Sequence, residues 1–148
     1  MASTIFGAPS YDPRRERRRK QIIALIIVFA VLIGLLAWLY RNWPEERVVN
    51  KFFTALEQKD YERAYAIWMN DPDWKQHPQK YEKYPFKEFY VDWGPGGEWG
   101  VINKYEIEGS VSPPHGSGVI VVVRVNDRAE KARIWVERSD KTLTFSPM

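Results

Sequence analysis

The chain has 148 residues, 22 basic and 19 acidic side chains, a formal charge of +3 and no cysteine. The lack of cysteine excludes a disulfide framework, thiol catalysis and thiolate metal sites. Charge is unevenly placed: residues 1–40 carry six basic and two acidic side chains, residues 41–148 sixteen and seventeen, so the larger part is near neutral and no nucleic-acid partner is expected.

Residues 1–13 mix Pro, Gly and Ser without periodicity and are expected to be disordered. A basic run follows, Arg14-Arg15-Glu16-Arg17-Arg18-Arg19-Lys20, and then Ile22–Tyr40, nineteen residues without a charge. About twenty apolar residues in a helix span a hydrocarbon core of ~30 Å. Basic flanks stay cytoplasmic, so residues 1–20 are expected as a cytoplasmic tail, 21–40 as a transmembrane helix and 41–148 as an extracytoplasmic domain. The location implied is the cell membrane, the inner one where there are two, with the domain in the periplasm or at the cell exterior. Trp38, Tyr40 and Trp43 stand at the outer end, where amphipathic rings favour the headgroup layer.

A cleaved signal peptide is the main competitor, but its core is shorter and ends in a small-x-small site, whereas Tyr40-Arg41-Asn42-Trp43-Pro44 follows here. A buried core helix is rarely uncharged for this length, and Arg14-Arg15 alone does not complete a twin-arginine signal. Ala30 and Gly34 form a small-xxx-small pair through which two copies would form a homodimer.

Pro44 suits the first turn of a helix, and Glu45 and Glu46 suit the positive end of its dipole. Val48, Val49, Phe52, Phe53 and Leu56 make one apolar stripe. Asp60 is an N-cap for a second helix, with Tyr61, Ala64, Tyr65, Ile67 and Trp68 facing inward, and Asn70-Asp71-Pro72 ends it. Residues 71–79 predict a loop with room for one helical turn, and Phe86–Asp92 a third short helix. Gly94-Pro95-Gly96-Gly97 is a break.

Beyond it the period becomes two. Ile102, Tyr105 and Ile107 alternate within Val101–Ser112, Val119–Val125 is a β-branched run that predicts a central buried strand, Ala129–Arg138 alternates through Ala132, Ile134 and Val136, and Thr142–Phe145 is a last strand. Short turns predict an antiparallel meander. The fold class expected is α+β: one membrane helix, then two to three helices packed on a curved antiparallel sheet of about four strands.

The stretch Val49–Trp68, VNKFFTALEQKDYERAYAIW, resembles the opening of the nuclear transport factor 2-like superfamily. Its paired aromatics, the polar turn ending in Asp-Tyr and the Ala-Tyr-x-x-Trp of the second helix carry the likeness. The resemblance implies a cone-shaped domain over residues 45–146. Its members include isomerases, dehydratases, ligand binders and non-catalytic accessory domains, and a fold does not choose among these. The layout is similar to that of bitopic inner-membrane assembly factors of type IV secretion, although this chain is shorter than is usual there.

Candidate sites are sparse. His77 and His115 are the only histidines, each beside a proline, and neither has a His, Asp or Glu neighbour at metal-ligand spacing, so no metal is expected. No phosphate-binding, dinucleotide or G-x-S-x-G motif occurs, and no cofactor is expected. Enzymes of the resembled superfamily place carboxylates and tyrosines inside the cone. Asp92, among Phe89, Tyr90 and Trp93, is the carboxylate candidate for a general base, with Tyr65 and Tyr90 as hydrogen-bond donors; Asp92 as a cap and the tyrosines as core residues are the competing readings. Trp93, Trp99 and the intervening glycines read either as a mobile pocket mouth or as a packed loop. The function expected is a membrane-anchored, non-catalytic binding or scaffolding module with a protein partner. The alternatives are a tethered small-molecule binder or isomerase- or dehydratase-like enzyme, and a secretion-assembly subunit.

Overall fold

The computed structural model describes residue 7 and residues 12–147. Most of the tail expected as disordered therefore lies outside the described residues. The chain divides into two compact units, Met1–Arg41 and Asn42–Met148.

In the first unit α1 runs from Pro13 to Leu39 without a buried residue. It is long and apolar enough to cross a membrane. The helix begins earlier than the apolar segment and takes in the basic run that the sequence assigned to a tail. Asp12 caps it, accepting from the Arg14 N–H at 2.9 Å, and Glu16 and Lys20 pair at 2.8 Å one turn apart. Arg, Lys and Glu are themselves good helix formers, so nothing in the run stops the helix short.

The second unit is α+β. Helices α2 (Trp43–Glu57), α3 (Tyr61–Met69) and α4 (Phe86–Trp93) precede four antiparallel strands, β1 (Tyr105–Val111), β2 (Gly118–Val125), β3 (Lys131–Glu137) and β4 (Leu143–Phe145). The sheet is open, in the order β1-β2-β3-β4. Two 3-10 turns, Trp74–Gln76 and Pro78–Tyr81, occupy the segment expected as a loop. Asp60 caps α3 through the Arg63 N–H, and Asn70 closes it in the left-handed conformation, φ +49°.

The helices cover one face of the sheet: α2 packs on β1, β2 and β3, and α3 on β4. Val119, Val121, Val123 and Val125 of central β2 are buried on that face, while Ile120, Val122 and Arg124 on the other are only half-covered. The β-branched run is thus central, as expected, but enclosed on one side. On the open face Arg124 and Lys131 both pair with Glu108, beside a register shift between Ile107 and Gly109. The bulge and these charges blunt β1 as an edge strand.

The core is aromatic. Phe52 lies edge-on to Phe53 at 5.3 Å and to Trp93 at 5.1 Å, and Trp68 meets Phe52, Phe89 and Trp93 within 6.0 Å. Trp93 and Trp99 are both buried, so the glycine segment between them is a packed loop. Gly97 is required there, because a Cβ would stand 2.0 Å from the Asp92 carbonyl oxygen.

Candidate interaction site

The three catalytic candidates do not converge. Tyr65 is fully buried on α3 and donates its hydroxyl to the Tyr84 carbonyl at 2.7 Å. Burial first, and the neighbouring Tyr81 second, push its pKa up to about 12. Tyr90 is exposed on α4 and meets the edge of Tyr61 at 5.1 Å. Asp92 is exposed and accepts from the Tyr84 hydroxyl at 2.7 Å. Phe89 and Trp93, four residues apart, define the inward face of α4, and Asp92 lies off it. The apolar enclosure expected around this carboxylate is not there. Tyr84 was the missed partner: burial, and then Asp92, raise its pKa well above the ordinary tyrosine value. The space between helices and sheet is filled by Phe52, Phe53, Trp68, Phe89 and Trp93.

His77 is not the solitary loop residue its sequence neighbours suggest. Its Nδ1 lies 3.0 Å from Asp71 Oδ2, and the same carboxylate accepts from the Tyr81 hydroxyl at 2.5 Å and, through Oδ1, from the Asp73 N–H at 3.0 Å. The Tyr81 hydrogen bond, with lesser help from His77 and Asp73, holds Asp71 below the usual carboxylate range. Tyr81 is pushed up to about 12, by burial first and by Asp71 second. Together they clamp the segment from Asp71 to Tyr81. His115 sits apart and exposed, with φ +64°, in the turn Pro113–Gly116. Among the described residues no three His, Asp or Glu side chains gather as metal ligands.

The clamp shapes an open cleft of about 340 Å³. Tyr65 lines it together with Trp74, Tyr81 and Phe86. Trp74 stacks on Phe86 at 5.2 Å and meets Tyr65 edge-on at 4.8 Å. Pro78 and Pro85 complete the apolar wall, and Lys75 and Lys87 stand among the lining residues. Lys75 is held by Glu62 at 2.7 Å. The signal for this cleft was the interleaving of rings, prolines and lysines from Trp74 to Lys87. Burial raises Tyr61, Tyr65, Tyr81 and Tyr84, and hydrogen bonds hold Asp71, Glu108 and Asp140 below the usual carboxylate range.

The clamp has a pH signature. Folding favours the ionised form of Asp71, so its contribution is complete above the unfolded value, near pH ~4, and disappears as the pH falls through the lower folded value. Acid titrations of the wild type and Asp71→Asn, followed by near-ultraviolet circular dichroism, are expected to diverge above that range and converge below it. A difference independent of pH would contradict the clamp.

A second polar cluster was also unread in the sequence. Glu45, 2 % exposed, accepts from Lys141 Nζ at 2.7 Å, with Arg138 at 3.9 Å, and its Oε2 is buried without a partner. Beside it, the Ser110 hydroxyl donates to Glu46 at 2.5 Å, and Arg138 donates to Asn42 and Ser112, both at 2.9 Å. This network ties the start of α2 to the end of β1 and the β3–β4 turn.

No protein-family model, curated protein or solved structure matches this chain.

Proposed function

We propose that the protein is a single-pass membrane protein with a cytoplasmic N-terminus, whose domain beyond residue 41 resembles the nuclear transport factor 2-like fold and serves as a non-catalytic binding or scaffolding module at the outer membrane surface. The observation that carries this reading is the contrast between a filled interior and a surface cleft. The rings that could have lined an internal pocket pack on one another, while Trp74, Tyr81 and Phe86 stay half-exposed around an open groove. Half-buried aromatic rings in a concavity are typical anchors for a partner. The basic run in the first turns of α1, ahead of its apolar segment, supports the orientation, and Ala30 with Gly34 would permit pairing of two anchors.

The test is affinity purification of tagged full-length protein from membranes in mild detergent, against a control carrying only residues 1–44. Stoichiometric proteins absent from the control are the expected result. A partner-free protein would turn the reading toward a small ligand, for which a cleft of this volume also suffices.

A further inference from the structure

We propose that the aromatic cleft receives an extended, acidic, proline-containing segment of a partner protein. This rests on the binding-module reading and names the chemistry of what is bound. Three observations carry it.

The first is the wall. Trp74 and Phe86, stacked on each other, line the cleft together with Tyr65, Tyr81 and Pro78, so its wall is aromatic and apolar. A pyrrolidine ring is compact and rigid and packs on aromatic faces. A polyproline segment has already given up most of its conformational entropy and leaves its carbonyl groups free, which is why aromatic-lined grooves hold such segments. The second is charge. Two of the lining side chains are lysines and none is acidic. Lys75 is partly neutralised by Glu62, whereas Lys87 has no ion-pair partner among the described residues. Asp71, the nearest acid in the clamp, is engaged by Tyr81 and His77. An approaching carboxylate therefore finds Lys87 available and no acidic side chain among the lining residues. The third is rigidity. The Asp71 clamp and the Tyr65 hydroxyl on the Tyr84 carbonyl fix both sides of the groove, so little ordering is lost on binding. The rings line a concavity and do not protrude, which favours a chain laid into it over insertion into a lipid surface.

The experiment uses the full-length chain in nanodiscs of neutral phosphatidylcholine and fluorescence polarisation. The probes are labelled dodecapeptides alternating glutamate with proline, glutamate with serine, and lysine with proline. The glutamate–proline peptide is expected to bind with a micromolar dissociation constant, and each of the other two at least about tenfold more weakly, a step of ~1.4 kcal/mol. Lys87→Glu, an exposed substitution, is expected to weaken the glutamate–proline peptide by a further factor of about ten or more. Trp74→Leu is expected to weaken both proline peptides alike. Equal binding of the glutamate–proline and glutamate–serine peptides would reduce the cleft to simple charge attraction and overturn the proposal. So would absence of binding or an unaffected Lys87→Glu protein. Affinity purification with Lys87→Glu separates the two readings. Partners retained equally by wild type and variant leave scaffolding standing and remove the cleft assignment. Peptide binding with no purified partner removes scaffolding and keeps the cleft.

Discussion

Phe52→Ala is expected to cost about 4 kcal/mol of stability, the largest single effect in the domain. Phe52 is fully buried and touches Phe53, Trp68, Phe89 and Trp93, with ring centroids 5.1 to 6.1 Å apart. Its loss removes the burial of one large ring, leaves a cavity between α2, α3 and α4, and breaks edge-on ring pairs worth about 0.5–1.5 kcal/mol each beyond burial. A domain of this size has only about 5–15 kcal/mol in total. The midpoint of thermal unfolding, followed by tryptophan fluorescence, should fall by roughly 15–25 °C. Phe52→Leu keeps most of the volume and should cost less than half as much. A shift of only a few degrees for the alanine variant would mean that this ring cluster is not the core.

The second large effect is expected at Lys141. Lys141→Met leaves Glu45 buried with only Arg138, at 3.9 Å, to offset its charge. An uncompensated buried charge costs about 3–5 kcal/mol. The Lys141 side chain is 34 % exposed, so water reaches the pair and about 2 kcal/mol is the expected loss. The double variant Glu45→Leu with Lys141→Met removes both charges and should be more stable than Lys141→Met alone. Denaturant unfolding of the two single variants and the double closes the cycle. Additive costs would show that Glu45 and Lys141 do not depend on each other.

These two sites differ in how far the sequence revealed them. The Phe52 stripe follows from helical spacing, and Asp60 was legible as a cap because its chemistry acts within three residues. The β-branched run was legible as a strand for the same local reason. Glu45 was read only through the helix dipole. Its burial depends on Lys141, ninety-six positions away, and nothing in its neighbourhood announces that. Asp92 shows the converse error: apolar neighbours in sequence are not apolar neighbours in space, because 3.6-residue periodicity turns Phe89 and Trp93 inward and leaves Asp92 in water. Residues 71–85 resisted reading because their order comes from side chains reaching across 3-10 turns, the Asp71 carboxylate above all. The bulge at Glu108 is a property of strand pairing and has no local signature beyond Gly109.

The proposed placement of the domain across the membrane is directly measurable, because the chain contains no cysteine. Ser10→Cys in the tail and Ser139→Cys in the exposed β3–β4 turn each introduce a single thiol. Intact cells carrying either variant are treated with a membrane-impermeant maleimide, before and after permeabilisation. The expected result is labelling of Ser139→Cys in intact cells and of Ser10→Cys only after permeabilisation. Protection of Ser139→Cys until the cells are opened would place the cleft on the cytoplasmic side and contradict an extracytoplasmic binding module.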